Sequence, residues 1–225
     1  MDKFLDIWTY KEAFLFPKAV IYARITYWQR DCRILMTEDK IMEKKSNITI
    51  KSIVAIGIGA ALFFVVGRFI SIPIFANTTA NLQYGILSVF GIIFGPLVGV
   101  LAGFIGHTLI DLSWGSPWWS WIIASAVFGL VMGLVKKKID IENGVFGKKE
   151  ILIFNVAQIV THAICWVVVA SGLDVLIYQE DITKLVGQSL VATTANSITT
   201  AIVGTALLLA YAKTRTKAGS LQKED

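Results

Sequence analysis

In the stretch GHTLIDLSWGSPWWSW, Gly106–Trp121, a histidine and an aspartate stand four residues apart, and four of the chain's seven tryptophans follow within eight positions. His107 and Asp111 at i,i+4 share one face of a helix and can exchange a hydrogen bond. With His162 they could in principle ligate a metal, which makes a membrane-embedded metal-dependent enzyme the alternative reading. The sequence has no HExxH and no cysteine–histidine cluster, and Cys32 and Cys165 are far apart, so no known metal-site spacing supports it. It also lacks a GxSxG elbow and a GxxxxGK[ST] phosphate loop, so the chain is not expected to hydrolyse nucleotide itself. No catalytic residue, metal or cofactor is assigned.

Tryptophan is enriched at headgroup depth in any membrane protein, so each of Trp114, Trp118, Trp119 and Trp121 has an anchoring role open to it. Four together exceed what anchoring needs, and aromatic walls bind flat rings in concave sites. On the row leading to His107 lie Gly95, Gly99 and Gly103, a small-residue stripe along which a neighbouring backbone can approach closely. Tight packing thus gives way to polar side chains, as the wall of a cavity would require. Asn81 and Gln83 before the second helix, Gln158 and His162 midway along the fifth, and Asn196 in the sixth are further polar groups at membrane depth. Such groups face the bundle interior, water or a partner.

The elements that position these residues follow from composition. With 55% hydrophobic and 16% charged residues and a mean hydropathy of +0.66, the chain is too apolar for an ordinary soluble domain. Apolar segments run Ile53–Ile72, Leu82–Ile110, Trp118–Val135, Ile151–Val169 and Val186–Ala212. A spanning helix needs about 20 apolar residues, whereas Leu82–Ile110 as one helix would reach about 43 Å and is interrupted by Gly95-Pro96. Two helices joined at Phe94–Leu97 fit better, which gives six spans. Charge supplies an independent vote. Lys40, Lys44, Lys45 and Lys51 precede the first span, Lys136–Lys138, Lys148 and Lys149 lie between the fourth and fifth, and Lys213, Arg215, Lys217 and Lys223 follow the last. Six spans put all three clusters on the cytoplasmic face; five would not. The expectation is an all-α integral membrane protein of six transmembrane helices with cytoplasmic N- and C-termini. The pI near 9.2 reflects topology rather than nucleic-acid binding.

Residues 1–35 are aromatic and mixed in charge, with no apolar run long enough to span and no cleavage site, and are expected to be a start-site extension ahead of Met36. Residues 36–51 are expected to form a cytoplasmic leader, 52–212 the membrane domain and 213–225 a cytoplasmic tail.

The runs IVAIGIGAALFFVVGRF, NLQYGILSVFGIIFGPLVGVLAGFIGHTLIDLSWG and PWWSWIIASAVFGLVMGL resemble the substrate-binding S component of an energy-coupling-factor (ECF) vitamin transporter, of the riboflavin-type branch. The resemblance covers nearly all the chain after Met36. It implies a multi-pass cell-membrane protein that captures a vitamin from outside and associates with a coupling (T) protein and two cytoplasmic ATPases. It also implies toppling of the loaded subunit within the bilayer, and docking through small residues on helix 1. Here Ala55-x-x-x-Gly59 and Gly57-x-x-x-Ala61 match that spacing. The ligand is expected to be a vitamin or precursor such as riboflavin or a pyrimidine- or pyridoxine-like ring. Trp114, Trp118 and Trp119 would wall it, and Asn81, Gln83, His107, Asp111, His162 and Asn196 would supply polar contacts.

Overall fold

Apolar residues all round a helix, as in Ile50–Phe69, suit a segment whose surroundings are lipid on one side and other helices on the rest. The computed structural model describes residues 49–75 and 78–215 of the chain. Its helices are α1 (Ile50–Phe69), α2 (Gln83–Phe94), α3 (Pro96–Trp114), α4 (Trp119–Val135), α5 (Lys148–Tyr178) and α6 (Ile182–Thr214). All but α2 are long and apolar enough to cross a membrane, and α2 is a shorter apolar helix of 12 residues. The chain is a helical membrane protein. The expected residues 1–35 and the leader up to 48 lie outside the described residues, as does the tail beyond Arg215.

The break inside the long second apolar segment falls where the sequence places it. Gly95 has φ 98, a backbone conformation open to glycine, and Pro96 opens α3, where its missing N–H costs nothing. The turn folds α3 back beside α2. Along α3 the glycine stripe meets α4: a Cβ on Gly99 would overlap the Gly129 carbonyl, and one on Gly129 would overlap the Gly99 carbonyl. The two backbones touch, which only glycine at both positions allows.

Two features go beyond the sequence reading. Between α1 and α2 a short antiparallel hairpin forms, β1 (Ser71–Phe75) with β2 (Thr78–Asn81), pairing Ser71 with Asn81 and Pro73 with Thr79. Helix α5 runs nine residues past Val169, through π-helical stretches Ile164–Ala170 and Asp174–Tyr178 separated by one α turn. π-Bulges of this kind recur at functional sites.

The core is aromatic. The Tyr84 ring meets Phe63, Phe128 and Trp166 edge-on at centroid distances of 5.4, 5.4 and 5.2 Å. At one end of the bundle the Lys136 ammonium donates to the Ile93 carbonyl (2.8 Å) and Glu142 (2.7 Å), and Lys51 lies over the Phe94 ring. Arg215 donates to the Glu142 carbonyl at 3.1 Å. The described members of all three basic clusters therefore gather at one end, the cytoplasmic one by the positive-inside rule. The Lys136 ammonium holds the Glu142 carboxyl below its ordinary value.

Candidate binding site

At the opposite end, a cavity of about 510 Å³ opens between the helix ends and the hairpin. That volume suits a small organic ligand. His107, Asp111 and Trp114 reach it from successive turns of α3, and Trp118 and Trp121 from the start of α4. Asn81 enters from the end of β2, Gln83 from the first turn of α2 and Asn196 from α6. Residues placed here from the sequence thus converge from five separate elements.

Trp119 and His162 do not line the cavity, and both are corrections. The Trp119 ring is 45% exposed and stacks on Phe104, and its backbone N–H donates to the Tyr178 hydroxyl at 2.9 Å. It is an interfacial anchor one position off the cavity-facing row of α4. His162 is fully buried deeper in the bundle. It accepts from the Trp166 indole at Nδ1 (3.0 Å), contacts the Thr200 hydroxyl at Nε2 (3.1 Å) and stacks on Phe128. Both ring nitrogens are engaged with core partners, away from the cavity. Among the described residues no three His, Cys, Asp or Glu side chains are grouped to hold a metal ion. The metal-enzyme alternative loses its third ligand.

The polar wall is organised around Ser125, which lies one turn behind the cavity. Its hydroxyl is 2.5 Å from His107 Nδ1, 2.8 Å from the Tyr84 hydroxyl and 3.0 Å from the Trp121 carbonyl. A serine has one hydrogen. Directed at the Trp121 carbonyl, it leaves Ser125 accepting from both Tyr84 and His107 Nδ1–H. Nε2 stands 3.6 Å from Asp111 Oδ1, while Asp111 Oδ2 accepts the Trp118 backbone N–H at 2.8 Å. The expected His107–Asp111 pair therefore exists as a contact, but each partner is held mainly by another element.

Asp174 is the residue that sequence reasoning missed. It is 1% exposed and lines the cavity, where it accepts from the Trp118 indole (2.7 Å), the Trp121 indole (3.0 Å) and the Ser120 hydroxyl. A buried carboxylate needs such donors to offset its lost hydration. One side chain from α5 thus fixes two tryptophans at the start of α4, and Tyr178 stacks on Trp118 at 4.1 Å to complete the clasp. The only signal in the sequence is an acidic residue five positions past Val169, which reads as a loop charge unless the helix continues.

Gln179, at φ 55 the one described non-glycine residue with positive φ, turns the chain from α5 towards α6. The Asp181 carboxylate caps α6 by accepting from the Thr183 (2.7 Å) and Lys184 (3.3 Å) amides, which hold its pKa below the ordinary value. Lys184 pairs with Glu180 at 2.7 Å, and both line the cavity. The Arg68 guanidinium lies on the Trp114 ring, 3.8 Å from the centroid.

The small-residue pairs of α1 separate cleanly. Ala55 and Gly59 are buried against the chain's own helices, with Phe90 and Ala102 within 3.1 Å of a Cβ placed on Gly59. Gly57 and Ala61 are exposed, and a Cβ on Gly57 would meet nothing within 4 Å among the described residues.

Residues 47–213 match the model of a family described as "ECF-type riboflavin transporter, S component". A "UPF0397 protein" of Streptococcus gordonii is 52% identical over 181 residues, covering 80% of this chain and 97% of the relative. One of Lactobacillus helveticus is 48% identical over 184 residues, covering 81% and 100%. One of Streptococcus pneumoniae is 52% identical over 180 residues, covering 79% and 98%.

Proposed function

Because the chain belongs to the ECF-type riboflavin transporter S component family, and is therefore a multi-pass cell-membrane transport subunit rather than an enzyme, we propose that it captures a ring-shaped vitamin or vitamin precursor in its outer cavity. The observation that carries this is the convergence of Trp114, Trp118 and Trp121 with Asn81, Gln83, His107, Asp111 and Asn196 on one cavity at the end opposite the basic clusters. Apolar ring faces and a few fixed polar groups are what a small aromatic ligand needs for affinity and orientation. Riboflavin and pyrimidine- or pyridoxine-like rings are all of suitable size.

Import would be driven by partners: an ECF coupling (T) protein in the membrane and two cytoplasmic ATPase subunits. The exposed Gly57 and Ala61 face of α1 would receive the coupling protein, since small residues one turn apart let a second helix approach closely. Ala55 and Gly59 serve the internal packing of α1 instead.

Mass spectrometry of small molecules released from the purified protein, together with elemental analysis, tests the proposal. A single ring compound near one per chain is expected. Stoichiometric zinc or iron without an organic ligand would contradict it.

A further inference from the structure

Taking the capture site above as its premise, we infer that the cavity selects an aromatic ring bearing an ammonium or other positive charge over neutral and phosphorylated rings. The charged side chains lining it are three carboxylates, Asp111, Asp174 and Glu180, against one ammonium, Lys184. Lys184 is already paired with Glu180, and the Arg68 guanidinium lies on Trp114 and does not line the cavity. A phosphate or carboxylate on the ligand would thus meet a surplus of negative charge and no uncommitted cation among the described lining residues.

The hydrogen-bonding inventory points the same way by a separate route. The indole donors of Trp118 and Trp121 are spent on Asp174. Gln83 and Asn196, each 4% exposed, have buried carbonyl oxygens, Gln83 Oε1 and Asn196 Oδ1, with no hydrogen-bond partner among the described residues. A Cβ on Gly67 would overlap Gln83 Oε1, so that amide is seated closely against the helix behind it. Asp111 Oδ1 faces His107 Nε2 at 3.6 Å, beyond hydrogen-bond distance. Acceptors without donors call for a ligand rich in N–H groups. Indole rings on the walls stabilise a cation further through their π faces.

Equilibrium dialysis of the full-length protein in detergent, read by mass spectrometry, tests this with matched probes. Pyridoxamine and pyridoxine differ by an ammonium in place of a hydroxyl; thiamine and thiamine monophosphate differ by a phosphate; riboflavin supplies a large neutral ring. At least one amine-bearing or cationic probe is expected to bind, about tenfold or more tighter than its neutral or phosphorylated counterpart. In Asp111→Asn that preference is expected to shrink, the cationic probe losing more affinity than its neutral counterpart. Riboflavin, pyridoxine or the phosphate binding as tightly as the cationic probes would overturn the charge selectivity and leave the capture function standing. Binding of none of the five would overturn both.

Discussion

Asp174 carries more of the site than any residue picked out by its neighbours in sequence. Three donors from the Trp118–Trp121 segment converge on its carboxylate, so the spacing of the tryptophan wall is set from α5. Hydrogen bonds to a charged acceptor contribute about 1.5–3 kcal/mol each. Asp174→Asn would replace one acceptor oxygen with an N–H group facing indole N–H donors. Ligand affinity is expected to fall about tenfold or more, with a shift in tryptophan emission and the protein still monodisperse; unchanged emission and affinity would show that the carboxylate does not hold the wall. His107, Asp111 and most of the tryptophans were legible because an ionisable pair in an apolar helix has few explanations. Trp119 was not separable from its neighbours, since only the phase of α4 decides which indole faces lipid. His162 misled because a buried histidine in an aromatic core has the same sequence signature as a ligand.

The crossing of α3 and α4 is the element on which the site rests, because His107 and Ser125 meet across it. Gly99 and Gly129 are in mutual backbone contact there, with no flexible side chain to yield. Gly99→Leu must drive the helices apart, at a cost of about 1–3 kcal/mol or more. A lower melting temperature and lost ligand binding are expected, whereas Gly57→Ala, which meets open space, should melt as wild type. Equal melting of all three proteins would contradict the close crossing. The helix break at Gly95-Pro96 could be read from sequence because both residues enforce it. The far end of α5 could not: Ser171, Gly172 and Asp174 end the apolar run while the backbone continues in π form. The hairpin escaped notice for a similar reason, since nine residues with a proline and little alternation between apolar and polar side chains give no strand period.

At the scale of the whole molecule, charge and cavity divide the bundle into two ends. Lys51, Lys136 and Arg215 gather at one, and the aromatic, acidic cavity opens at the other. Counting lysines predicted this polarity because loop charge depends only on the number of crossings, whereas the outward face of α1 depends on helix phase and needed the structure. Under the proposed function, capture and coupling fall to separate surfaces. Gly57→Trp is expected to bind ligand as wild type yet fail to support uptake in cells carrying the coupling protein and ATPases, since its bulk projects only from the outer face of α1. The most direct measurement is the dissociation constant of the co-purifying compound for wild type, Asp111→Ala and Gly57→Trp, each shown folded by its melting curve. An affinity lost by about tenfold or more in Asp111→Ala and kept in Gly57→Trp is the predicted result; wild-type affinity in a folded Asp111→Ala would contradict capture in the outer cavity.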